Sequence, residues 1–329
     1  MIRCSFSQVH EVLPYGGGGY SALNGMSFSD SSHGWFASEF VAYRTIDAGR
    51  NWEQRWMEGR ARNLGRLSAP TPDMCAILVK FTDGIEYCLT KDAGKTWRTS
   101  RIESAGNRSA LDIHFLDERK GWILAGPELH GYSSQVLVTE DGGIHWECHE
   151  LFLGKPANIW FSNPSDGWLI VKGEATREPT FAVVMESATG DITIPFGGER
   201  NWVCRSRDGG RTWTPLSWLD HDLTGIVAHR LRTTRTYVSG LEGYLAASDD
   251  DGATWSTVGT GFPGDLYTPA CKNETIVVPG VGGIIVSLDG ALTWHKFELD
   301  DAPFKVDLFD DYSGIIGATR GVYTFQITR

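Results

Sequence analysis

Thr139-Glu-Asp141-Gly-Gly143-Ile-His-Trp146 is one of six near-copies of a short motif, and the recurrence decides the fold. The others are Thr45-Ile-Asp47-Ala-Gly49-Arg-Asn-Trp52, Thr90-Lys-Asp92-Ala-Gly94-Lys-Thr-Trp97, Ser206-Arg-Asp208-Gly-Gly210-Arg-Thr-Trp213, Ser248-Asp-Asp250-Asp-Gly252-Ala-Thr-Trp255 and Ser287-Leu-Asp289-Gly-Ala291-Leu-Thr-Trp294. The shared pattern is Ser/Thr-x-Asp-x-Gly-x-x-Trp. Each copy follows a short apolar run, such as residues 135–138 or 283–286, which places it at a strand end. An Asp in a tight turn accepts backbone N–H groups just ahead of it. The following Gly supplies positive φ, and the Trp buries a large ring between neighbouring sheets. The six Asp residues therefore read as structural, not catalytic. Ala291 stands where the last copy should have Gly, which predicts a slightly different turn there.

The motif Asp residues stand at 47, 92, 141, 208, 250 and 289. A four-stranded propeller blade takes roughly 40–45 residues, so one motif marks one blade, with a longer step between 141 and 208. A second marker, Gly34-Trp35, Gly121-Trp122 and Gly167-Trp168, reads as the turn from first to second strand. Residues 304–309, 313–319 and 321–327 read as three further strands without a motif, and residues 3–13 as one strand without a blade. Pairing them completes a seventh blade and hides two sheet edges. The expectation is an all-β, seven-bladed propeller of four-stranded blades in one domain, residues 1–329, closed by the N-terminal strand. Six blades with a loose tail is the alternative.

Composition fits this reading. Of 13 Trp, six close motifs and three follow the turn Gly. The net charge of −11 argues against non-specific nucleic-acid binding and permits a basic partner. No run approaches the ~18–20 apolar residues of a membrane span. No secretion signal is visible, so the chain is expected to be cytoplasmic and its six Cys reduced. Cys75 and Cys88, on neighbouring strands, are the one pair placed for a disulfide.

In a four-stranded blade, the blade-to-blade loops and the loops between second and third strands share one face, opposite the Asp turns. That face is the expected binding face. Its candidates are the basic segment Arg60, Arg62 and Arg66, with Arg108 and Lys155 in later blade-to-blade loops. A long insertion in blade four, residues 172–201, reads as an extra hairpin carrying Phe181 and Ile194. Arginine suits forked binding of carboxylates, so a partner there should present acidic groups.

The unit of Gly-Trp, apolar strand and Thr/Ser-x-Asp-Gly-Gly-x-x-Trp resembles the Asp-box or BNR repeat. It is most similar to the photosystem II assembly factor-like propellers and more distantly to sialidase-type propellers. In the photosynthetic members a basic patch binds an assembly partner, and Arg60, Arg62 and Arg66 match that patch in character. The resemblance implies a non-enzymatic, protein-binding scaffold, assembly factor-like or of an inhibitor or immunity type. A monomer with no metal, cofactor or nucleic acid is expected. The alternative is a carbohydrate-active enzyme, sialidase-like or another glycoside hydrolase, using carboxylates at the channel mouth. Asp112, Asp222, Asp265 and Asp307 sit near inner strands and could serve. Against a sialidase, the Arg-Ile-Pro signature is absent, and inner strands look small and apolar save for His114 and His229.

Overall fold

The computed structural model describes residues 2–11, 24–38, 40–57, 63–80, 84–126, 134–151, 155–172, 181–187, 190–196, 201–230 and 234–328. Seven four-stranded antiparallel blades form a ring. Blade 1 is Gly25–Phe28, Gly34–Ala37, Val41–Thr45 and Glu53–Met57. Blade 2 is Asn63–Thr71, Met74–Lys80, Glu86–Thr90 and Arg98–Arg101, and blade 3 is Ala110–Phe115, Gly121–Ala125, Ser134–Thr139 and Glu147–Leu151. Blade 4 joins Lys155–Phe161, Gly167–Lys172, Asn201–Ser206 and Thr214–Leu219; blade 5 joins Leu223–Arg230, Thr234–Gly240, Leu245–Ser248 and Ser256–Thr257. Blade 6 is Ala270–Lys272, Thr275–Gly280, Gly283–Ser287 and His295–Glu298. Blade 7 takes Pro303–Leu308, Ser313–Ala318 and Gly321–Thr328 from the chain's end, and Arg3–Glu11 from its beginning. Arg3 lies opposite Thr328 and Glu11 opposite Gly321, so the ring closes as the sequence predicts. Phe181–Ser187 and Gly190–Phe196 pair as a separate two-stranded sheet, in chain order between the second and third strands of blade 4.

The repeated motif forms the same turn six times. The Thr139 hydroxyl donates to Asp141 at 2.9 Å and accepts the Gly143 N–H at 2.9 Å. Asp141 Oδ1 in turn accepts the N–H groups of Ile144 and His145 at 3.0 and 2.9 Å. Two consecutive residues adopt positive φ in every copy, as in Gly209-Gly210 and Asp251-Gly252. The motif Gly is needed for a second reason. A Cβ on Gly210 would stand 2.9 Å from the Trp122 ring, and one on Gly252 would stand 2.8 Å from Trp168. The turns of blades 2, 4 and 5 thus lie against the Trp of the blade before them, and that of blade 3 against Tyr87. Ala291 corrects the expectation of a different turn: its N–H reaches Ser287 Oγ at 2.8 Å and its φ is 75°, as in the other copies. The preceding blade 5 carries Tyr237 instead of a turn Trp, and Ala291 packs into the cluster that contains it.

These turns make the fold sensitive to acid. The Thr96 hydroxyl and N–H hold the Asp92 carboxyl down to about 2. All six motif carboxyls are shifted in the same direction. A group held below its unfolded value, about 3.9 for Asp, stabilises the fold above that pH and loses its contribution as pH falls through the folded value. The melting temperature should therefore fall steeply between about pH 4 and pH 2, and Asp92→Asn should flatten that slope. Asp141→Ala, followed by denaturant melts at neutral pH, should cost about 1–2 kcal/mol, since water reaches the N–H groups left without an acceptor. An unchanged midpoint would show that the turn holds without its carboxylate.

There is no single core. Each of seven apolar clusters lies at the seam between consecutive blades, from blades 1 and 2 round to blades 7 and 1. At the seam of blades 3 and 4, Trp122 stacks on Phe161 with ring centroids 3.6 Å apart and donates its indole N–H to Gly209 at 2.8 Å. Trp97, closing blade 2, meets Trp35 of blade 1 edge-on at 5.7 Å and stacks on Trp56 at 5.5 Å. Such nearest-neighbour packing makes stability a sum over seams. All six Cys are free thiols, including Cys75 and Cys88.

Candidate functional site

The innermost strands enclose a cavity of about 470 Å³ along the ring axis. Its lining includes Asn24, just before the inner strand of blade 1, and Lys80, at the end of the second strand of blade 2. It therefore reaches the face opposite the Ser/Thr-x-Asp turns.

A recurring irregularity shapes this wall. The inner strands of blades 2, 3, 4, 5 and 7 each shift register against their neighbour at a corresponding place: Leu64/Leu67, Ala110/Asp112, Pro156/Asn158, Leu223/Gly225 and Pro303/Lys305. Such bulges re-aim side chains and bend the strand. They bring Arg66, Asp112, Asn158, Gly225 and Lys305 to one tier, with Gly25 at the corresponding place in blade 1.

Part of this polar wall ties blade to blade. Ser27 Oγ accepts the N–H of Ala69, and Ser68 Oγ that of Phe115, at 3.2 and 2.9 Å. Asp112 Oδ2 accepts the N–H of Ile159, and Asn158 Oδ1 that of Ile226, at 3.3 and 3.2 Å. Each bond runs from one blade to the next. Asp112 also accepts the Ile113 N–H at 3.0 Å and the Asn158 amide at 3.3 Å, so both its oxygens are engaged. Burial pushes the Asp112 carboxyl above its ordinary value despite Arg66 and the N–H donors of Ile159 and Ile113. Burial likewise raises Asp307, opposed by Lys305 and the Phe28 N–H. His114 is held down to about 4 by burial and by Lys305, so its ring is neutral at pH 7.

The sequence-predicted residues separate. Arg66 lines the cavity, with its guanidinium 3.8 Å from Asp112. Arg60 and Arg62 lie outside the described residues. Arg108 is buried, donating to the Ala105 carbonyl at 3.2 Å and lying 3.6 Å from Glu150. Lys155 is exposed and is the first residue of an inner strand, opposite Lys172. Phe181 pairs with Phe196 and Ile194 with Val183 in the separate hairpin. Asp222 and Asp265 stand away from the cavity lining: Asp222 lies 3.8 Å from Lys172, and Asp265 accepts the Glu242 N–H at 3.1 Å. Lys305 and Asn158 were not legible as wall residues, although Lys305 falls in the strand read at residues 304–309. The signal available was position, since each stands two residues beyond a proline at an inner strand's start. Among the described residues no group of three or more His, Cys, Asp or Glu could hold a metal, and no helix is long and apolar enough to cross a membrane.

Neither a protein-family model nor a curated protein matches the chain. Solved structures do. YCF48 bound to D1 peptide aligns with a TM-score of 0.70 at 16% identity, covering 99% of this chain and 95% of that one. YCF48 from Cyanidioschyzon merolae aligns with a TM-score of 0.68 at 16% identity over 98% of both chains. A streptogramin B lyase aligns with a TM-score of 0.68 at 12% identity, covering 99% and 98%. At these identities the likeness establishes the propeller fold, and the fold alone.

Proposed function

We propose that this chain is a protein-binding β-propeller scaffold of the Asp-box type, assembly factor-like, acting as a cytoplasmic monomer. The observation that carries the reading is how the channel acids are used. Asp112 Oδ2 holds blade 3 to blade 4 while its Oδ1 accepts the Ile113 N–H of its own strand, so both oxygens of this channel acid are already engaged. On the same face, Arg66 and Lys155 are exposed and the hairpin of Phe181 and Ile194 leaves the blade pattern. The YCF48 structure that shares this fold holds a D1 peptide, which supports a protein partner here. That partner should present carboxylates to Arg60, Arg62 and Arg66. Arg108, buried against Glu150, would support the loop beside the site.

The test is affinity capture from the native host, followed by titration of the captured protein. Arg60, Arg62 and Arg66 changed together to Ala should weaken binding at least tenfold and flatten its salt dependence. Trimming residues 181–196 should weaken it separately, at an unchanged melting temperature. Equal affinity in both variants would move the site elsewhere. The enzyme reading is favoured by one observation, the raised carboxyls of Asp112 and Asp307. Turnover of an oligosaccharide panel, lost on Asp307→Asn, would replace the scaffold reading.

A further inference from the structure

The channel wall contains cations that the fold does not use. Among the described residues, the Arg66 guanidinium has one charged partner, Asp112 at 3.8 Å, and the Lys305 ammonium has one, Asp307 at 3.9 Å. Neither separation is a hydrogen bond. Asp112 already accepts three N–H donors from other groups, so Arg66 keeps its own donors unspent. The two cations belong to blades 2 and 7, and blade 1 between them has Gly25, which carries no side chain, at that tier.

Three buried polar atoms at or near the cavity lack a hydrogen-bond partner among the described residues: the donor Asn24 Nδ2, His114 Nε2 and Asp307 Oδ2. A buried polar group left unpaired is costly, and such groups in a native protein mark a missing partner. Asn24 and His114 line the cavity itself. The His114 ring stacks beside Trp122 and Phe161, and its buried Nε2 is left to meet a second group. Trp160 and Phe304 add apolar surface to the same wall. The volume falls within the roughly 300–1,000 Å³ of small-molecule sites.

We propose that the channel binds a small carboxylate that also carries a hydrogen-bond donor and an apolar body, its carboxylate held between Arg66 and Lys305. Asn24 Nδ2 adds a donor to the carboxylate side. The ligand's own N–H or O–H meets His114 Nε2, and its apolar part covers Trp160 and Phe304. N-acyl amino acids and hydroxy acids have this chemistry, and so does the free C-terminus of a peptide. The inference rests on the cavity alone and not on docking of a protein partner.

The experiment uses the full chain without any partner. Calorimetric titration compares N-acetylphenylalanine with its amide, phenyllactate with phenyllactamide, and a free-acid tetrapeptide with its C-terminal amide. At least one acid should bind saturably and at least tenfold tighter than its amide. Acids of both sizes binding alike assigns a free metabolite, whereas binding of the tetrapeptide alone assigns a chain terminus; either supports a carboxylate site. Arg66→Gln with Lys305→Gln should remove the acid's advantage over its amide. A shift in Trp160 indole resonance on wild-type protein locates the ligand even if that variant folds poorly. No saturable binding by any acid, or equal binding of acids and amides, overturns the proposal.

Discussion

Removal of residues 1–11 should lower the melting temperature by on the order of 10 °C and should leave the protein prone to self-association. The strand Arg3–Glu11 does more than complete a ladder. Cys4 and Phe6 pack on the cluster of blades 6 and 7, beside Phe325 and Ile327. Val9 packs into the cluster of blades 7 and 1. The His10 ring stands 4.9 Å from both Phe36 and Tyr43 of blade 1. Losing the strand opens two seams at once and leaves Gly321–Thr328 as an unpaired edge. Calorimetry and light scattering on the truncated chain decide the matter: a melt unchanged within 2 °C, with no growth in particle size, would mean the ring is closed by something other than this strand.

The second large effect is expected at Trp122. Its side chain is fully buried, it stacks on Phe161, and its indole N–H satisfies the Gly209 carbonyl of the next blade's turn. Trp122→Ala should cost about 3–5 kcal/mol by denaturant titration, because a seam already held apart by its neighbours cannot collapse around the void. Trp168 offers an internal control. Its ring is as deeply buried, but its indole N–H has no partner among the described residues. Trp122→Phe should therefore cost more than Trp168→Phe by roughly the value of one hydrogen bond, about 1 kcal/mol. The reverse ranking would show that the Arg205 guanidinium, 4.5 Å over the Trp168 ring, matters more than the bond to Gly209.

The ring was legible because its determinants are local. The turn of residues 139–146 states its own geometry in one stretch: hydroxyl, carboxylate, two positive-φ positions and a terminal indole. The closure by an N-terminal strand, read at residues 3–13 and seen at Arg3–Glu11, followed from counting strands. The channel was less legible, because strand reading assumes that side chains alternate faces with a period of two. A bulge between Pro303 and Lys305 resets that count, so Lys305 reaches the wall from a strand whose facing alternation does not show. The same reset at Pro156/Asn158 hides Asn158. The burial of Arg108 was also not legible. Its neighbours Gly106 and Asn107 read as an open connection, but Glu150 from another strand draws the guanidinium inward, and such a partner is visible only after folding.

The aromatic arrangement between blades 1 and 2 gives this molecule an optical handle. Trp35, Trp97 and Trp56 form one chain of indoles with successive centroids 5.7 and 5.5 Å apart. Transition dipoles that close couple as excitons, which adds a split circular-dichroism band that isolated indoles lack. Total emission from 13 Trp averages over the whole ring, but the part of the split band lost on Trp97→Phe reports the junction of blades 1 and 2. Its disappearance ahead of the bulk signal would time the parting of blades 1 and 2 separately from the rest of the ring.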